Sequence, residues 1–314
     1  MGVLSRLWVS MRTQDREDAG TDSPIVLIIN EGGVDKLHHT FPDTSQDDQE
    51  RGQANLYEID VEGREIRSEH LTNSSFRLAI GGSDLWHPQH VLVWGQESNG
   101  GQVVPLALEF NIASGISADA SEGNLSFPLR RIGFPTVSPV VGLPDTKARI
   151  KQILVVLTTA DVSDAGTDSE IELEITFGGG EKWIQNIRNI VPGNTPQEDL
   201  ETGKANFYLP ITRQSLGAVR RRNNLESVVL RIKGDDSWLP GSFFLFGFTR
   251  IFFDPDFSGQ PRPDSIMPLV HIPNWDLGAL SKDRSEGQES VALPLLPPPN
   301  ISPDLLDVTP STTS

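Results

Sequence analysis

The chain has 314 residues, a formal net charge of -17 and a sequence pI near 4.7. Its mean field repels phosphate backbones and anionic headgroups, which argues against direct nucleic-acid binding. There is no cysteine, so disulfides, thiolate metal sites and a cysteine nucleophile are all excluded.

A hydrophobic fraction of 37% supports folded cores, and the length suits about two domains. From Met1 to Val9 the chain runs into Arg12 and the acidic stretch Asp15 to Asp18 without a sustained apolar region. No signal peptide is expected, and no run of about 18 apolar residues suggests a transmembrane segment. The expected location is cytoplasmic or peripheral to a membrane.

The first element is a strand, with Leu7, Val9 and Met11 alternating. A turn, Asp18-Ala19-Gly20-Thr21-Asp22-Ser23, leads to an apolar run from Ile25 to Ile29 and to Gly32-Gly33. After a polar connection come strands over Asn55 to Val61 and Phe76 to Ile80, then the turn Gly82-Ser83-Asp84-Leu85-Trp86 and a strand over Val91 to Trp94. Val103 to Asn111 reads as one more strand. Residues 113–148 mix Gly, Ser and Pro with Phe127, Leu129, Ile132 and Phe134, a segment too apolar for a free linker and expected to pack on a neighbouring sandwich.

The same order then repeats. Ile153, Val155 and Leu157 alternate, followed by Asp164-Ala165-Gly166-Thr167-Asp168-Ser169, an apolar run from Ile171 to Phe177 and Gly178-Gly179-Gly180. Gly203-Lys204-Ala205-Asn206-Phe207-Tyr208 matches Gly52-Gln53-Ala54-Asn55-Leu56-Tyr57, and Gly234-Asp235-Asp236-Ser237-Trp238 matches the earlier tryptophan turn. A period this long equals a whole small domain rather than a solenoid repeat. Many short strands punctuated by Gly, Pro and Asp make the expected class all-β, two tandem antiparallel sandwiches over 1–112 and 149–254. Residues 255–314, dense in proline and acidic residues with anchors at Ile266, Leu269, Trp275 and Leu280, are expected to form an extended arm, partly disordered.

These landmarks resemble the PLAT domain, also called LH2: Thr13 or Thr159 at a strand end, Ala-Gly-Thr-Asp, a Gly-x-x-x-Leu/Phe strand, and the late Gly-Asp…Trp turn. The second copy is the closer match because it also carries Leu216-Gly217, where the first copy has Ile66-Arg67-Ser68-Glu69 nearby. The resemblance covers roughly residues 5–112 and 149–254. It implies an eight-stranded β-sandwich without catalytic activity of its own, docking to lipid surfaces or to proteins, sometimes through Ca²⁺. It also implies that the Ala-Gly-Thr-Asp and Gly-Asp…Trp loops lie close together.

On that implication Asp164, Asp168, Asp235 and Asp236 are candidate Ca²⁺ ligands, with Asp18, Asp22 and Asp84 as the weaker first-copy set, since Ca²⁺ takes six to eight hard oxygens. The alternative is that Asp22 and Asp168 close Asx-type turns by accepting backbone N–H bonds. Trp86 and Trp238 read as buried indoles plugging the sandwich ends, and Trp183 as packed rather than membrane-inserting. His38, His39, His87 and His90 lack a third ligand at zinc-like spacing and read as surface histidines. Arg220-Arg221-Arg222 reads as a solvated turn, with an acidic-partner contact as the other reading.

No Gly-x-Ser-x-Gly elbow, His-Glu-x-x-His or Walker loop is present, so no enzyme is expected. Two functional readings follow: docking to a protein partner or multi-subunit assembly with the arm as an added contact, or Ca²⁺-assisted peripheral binding to lipid.

Overall fold

A computed structural model describes residues 2–42, 48–98, 100–110, 112–132, 150, 152–187, 200–208, 224–248 and 266–297. The strands of the first half are β1 (Leu4–Thr13), β2 (Ile25–Glu31), β3 (Val34–Thr40), β4 (Ala54–Asp60), β5 (Phe76–Ile80), β6 (Pro88–Glu97), β7 (Val103–Phe110) and β8 (Ser126–Leu129). Those of the second are β9 (Gln152–Thr159), β10 (Ile171–Phe177), β11 (Glu181–Asn186), β12 (Ala205–Tyr208), β13 (Leu225–Ile232), β14 (Pro240–Phe248), β15 (Ile266–Ile272) and β16 (Ser290–Leu293). The all-β expectation holds, and every pairing between strands is antiparallel.

One strand order occurs twice. The outer sheets run β3-β2-β5-β8 and β11-β10-β13-β16, and the inner strands β4-β1-β6-β7 and β12-β9-β14-β15. The inner sets are joined into a single eight-stranded sheet through β4 and β12, which among the described residues pair only at Ala54 and Ala205. β7 and β15, at the far ends of this sheet, lie side by side without ladder pairing.

Each half therefore has its own sandwich core, and a third core fills the space between the halves. Leu7, Val9, Met11, Leu27, Phe76 and Trp86 belong to the first, and Val155, Leu157, Leu173, Trp183, Trp238 and Phe243 to the second. Trp8, Trp94, Phe110, Val156, Phe207, Phe244, Phe246 and Phe248 form the third. The layers are sheet, sheet, sheet, sheet, with a core between each pair.

Three expectations change here. The first strand was read as half-buried, yet Trp8, Ser10 and Arg12 are as inaccessible as Leu7, Val9 and Met11, because a second sheet covers the face that alternation assigned to solvent. The connecting segment supplies β8, which pairs with β5 and closes the first outer sheet. The proline-rich stretch supplies β15 and β16, with Ile266, Leu269 and Leu280 fully buried, in place of an extended arm.

Proline density misled because Pro268 sits in an edge strand opposite Phe246 at a register shift, where a missing N–H costs little. Pro105 occupies the matching place in β7, opposite Trp94. Residues 133–149, 251–265 and 298–314 lie outside the described residues, as do Leu216-Gly217 and Arg220 to Arg222.

Candidate functional site

The β1–β2, β5–β6 and β7–β8 loops meet the segment before β4 at one end of the first sandwich. There they form an open cleft of about 630 Å³ lined by Asp18 to Asp22, Glu50, Arg51, Asp84, Leu85 and Glu122. Local chemistry dictates this meeting. Asp18 sits in the left-handed region (φ 54°), as does Asp164 (φ 60°), a conformation that short polar side chains tolerate. At Gly20 a Cβ would stand 3.2 Å from Glu50 Oε2 and 3.3 Å from the Gln49 carbonyl, so a larger residue would push the two segments apart by a few tenths of an ångström.

The Ala-Gly-Thr-Asp and tryptophan turns do lie together in both halves. Asp84 Oδ2 accepts from the Asp22 backbone N–H at 2.9 Å, and Thr21 Oγ1 donates to the Asp84 carbonyl at 3.2 Å. In the second half Asp236 Oδ2 accepts from Asp168 N–H at 2.7 Å and from Thr167 Oγ1 at 3.0 Å. The carboxylates of Asp84 and Asp236 thus close these junctions by accepting the backbone N–H of Asp22 and Asp168.

Asp18, Asp22 and Asp84 all border the cleft. In the second half Asp164 accepts from neighbouring Ser163, and the Asp235 carbonyl accepts from Ser281 Oγ at 2.8 Å. Among the described residues no three acidic or histidine side chains gather into a group able to hold a metal. As arranged, the aspartates tie loops together.

Trp86 and Trp238 are fully buried and donate their indole N–H to Thr13 Oγ1 (2.9 Å) and Thr159 Oγ1 (3.0 Å). This matches the reading of both as end plugs, and Trp183 is packed as expected. His38 is exposed, but His87 and His90 are buried, so the surface reading fails for that pair. Burial, with Arg16 adding repulsion, holds the His87 imidazole below its ordinary pKa.

Sequence reasoning missed Glu50 and Glu122 and the element that carries the latter. Ser117-x-Asp119-x-Ser121-Glu122-Gly123 recurs as Ser281-x-Asp283-x-Ser285-Glu286-Gly287, inside the stretches assigned to the connector and the arm. The hydrogen bonds recur with it. Asp119 Oδ1 takes Ser121 N–H and Oγ at 2.8 and 2.6 Å, and Asp283 Oδ1 takes Ser285 N–H and Oγ at 2.9 and 2.7 Å, which holds both carboxyls below the usual range. Ile116 and Leu280 each exchange backbone bonds with the tryptophan of their own half. The repeated spacing was the available signal.

The fold and these loop ends define a four-layered all-β protein of two eight-stranded sandwiches. No protein-family model matches the chain, and no curated protein does. Among solved structures the chain is similar to the alpha-toxin of Clostridium perfringens avian strain SWCP, at 12% identity and a TM-score of 0.33, over 49% of this chain and 34% of that one. It is also similar to the alpha toxin of Clostridium absonum, at 17% identity and a TM-score of 0.29, over 43% and 34%. The chain spans about a third of the length of either toxin, and the β-sandwich architecture rests on its own strands and registers. Among the described residues no helix is long and apolar enough to cross a membrane.

Proposed function

We propose that the protein is a non-catalytic recognition module that docks a protein partner, or a multi-subunit assembly, through its loop ends. The observation that carries this reading is the cleft, which Asp18, Asp22, Glu50, Asp84 and Glu122 line at one end of the first sandwich. Arg51, the basic residue among them, is paired with Asp15 at 2.9 Å. Such a rim suits a partner that presents Lys or Arg, with electrostatics setting on-rate and register. The PLAT-like order of landmarks agrees with a docking role.

A second reading, Ca²⁺-assisted peripheral docking to lipid, is favoured by one observation. Val162, 52% exposed, lies two residues from Asp164 at a loop tip. The outer face of the second sheet does not favour it. There Glu174 pairs with Lys182 (2.9 Å) and Glu172 with Lys233 (3.1 Å) across strands, a charged surface with little to gain from lipid.

Native co-purification of the tagged chain, with and without a chelator, tests both. A stoichiometric protein insensitive to chelation supports the first reading; lipid recovered only with calcium overturns it in favour of the second.

A further inference from the structure

The core between the halves buries polar groups that neither sandwich needs. His90 of β6 stacks on Phe207 of β12 (centroids 5.4 Å, 23°) and meets Phe110 of β7 edge-on at 5.1 Å. His271 of β15 meets Trp8 of β1 edge-on at 4.6 Å and Phe244 of β14 at 5.0 Å. One ring belongs to the first half and touches the second, and the other does the reverse. His90 Nδ1, His271 Nε2, Ser10 Oγ and Trp94 Nε1 are buried without a protein hydrogen-bond partner among the described residues.

The charged groups on the strands around the rings are either cationic or already engaged. Arg12 of β1, buried and directly across from His90 in the ladder, is itself cationic. Glu58 of β4 takes the Trp8 indole N–H at 3.2 Å and pairs with Arg6, while Glu109 of β7 is held by Arg130 at 2.8 Å. From the other side β9, β12, β14 and β15 carry no Asp, Glu, Lys or Arg at all. Burial first, and for His90 Arg12 second, pushes the imidazoles down to about 3 for His90 and about 4 for His271.

Backbone pairing between the halves is sparse. Ala54 and Ala205 form the only strand pair across the junction among the described residues, whereas β1 and β4 pair over seven positions.

We propose that this joint is an acid-opened latch: protonation of His90 and His271 parts the halves at the Ala54–Ala205 junction and bares Trp8, Trp94, Phe244 and Phe246, while each sandwich keeps its own core.

In the opened state the rings titrate near the ordinary value of about 6.5, so the closed state is fully favoured above that pH and is weakened as pH falls toward the closed-state values. At pH 5 each ring shifts the equilibrium toward opening by roughly thirty-fold, and the two together by about a thousand-fold.

The absence of cysteine allows a clean test: Arg77→Cys on β5 and Ala292→Cys on β16, both exposed, carry a donor and an acceptor dye. Energy transfer, binding of a dye selective for apolar surface, and far-UV circular dichroism are followed from pH 7.5 to pH 4. The expected result is loss of transfer and gain of dye binding with strand signal retained, and a midpoint at least a pH unit lower in the chain that also carries His90→Phe and His271→Phe. An unchanged midpoint in that variant, or strand signal lost together with transfer, overturns the latch. Should the variant not fold, imidazole NMR on the dye-labelled parent decides. Two rings titrating below pH 5 in step with the loss of transfer support the proposal, and rings titrating near pH 6.5 with transfer intact overturn it.

Discussion

Asp84 and Asp236 each accept a backbone N–H across a loop junction, at 2.9 and 2.7 Å, and Asp236 Oδ2 also shares the Thr167 hydroxyl hydrogen with its own carbonyl, so the second carboxylate is the more engaged. Asp236→Ala is expected to lower the free energy of unfolding by about 2 kcal/mol and Asp84→Ala by about 1 kcal/mol, both read as a lower urea midpoint at constant slope. Equal, negligible losses would show that these turns close without the carboxylates. Asp18→Asn with Glu122→Gln removes two rim charges while keeping the left-handed turn at residue 18. It should weaken capture of a basic partner several-fold without moving the urea midpoint, and unchanged capture would place the docking surface elsewhere. Trp238→Phe loses the indole bond to Thr159 and leaves a void in a closed core, a loss of about 1–3 kcal/mol in thermal or urea unfolding.

At the level of elements, β1 and β14 show why alternation alone was an incomplete guide. In β1 the residues Trp8, Ser10 and Arg12 mix apolar and polar types, as a solvent-facing row does, and yet the row faces the other half of the molecule. In β14 the run Phe243-Phe244-Leu245-Phe246 is apolar on both faces, the pattern of a strand covered twice. β15 and β16 complete the second sandwich, so truncation after Asp254 removes Met267, Leu269, Val270, Leu280 and Val291 from its core. That truncation is expected to abolish soluble, strand-rich protein, whereas truncation after Pro297 is expected to preserve it; expression with circular dichroism distinguishes the two. A folded product from the shorter chain would mean that the second sandwich stands without its closing strands.

For the whole molecule, the third core makes the halves mutually dependent. Produced separately, residues 1–132 would expose Trp8, Trp94 and Phe110, and residues 150–314 would expose Phe207, Phe244, Phe246 and Phe248. Apolar surface of that kind drives association, so the fragments are expected to be poorly soluble alone and to co-purify when co-expressed. Independent, monomeric fragments would show that the joint contributes little.

The amino-acid sequence by itself determined the all-β class, the repeated order of strands, the glycine and aspartate turns and the buried end tryptophans, because these follow from contacts and conformations within a few residues of chain. Tertiary structure decided the rest. Whether the second face of β1 meets water or Phe244, whether His90 is a surface or a core residue, and whether a proline-rich tail is free or supplies β15 depend on which sheet covers which. Phe244 is more than two hundred residues from Trp8 and Phe207 more than a hundred from His90, and no local pattern encodes such partners.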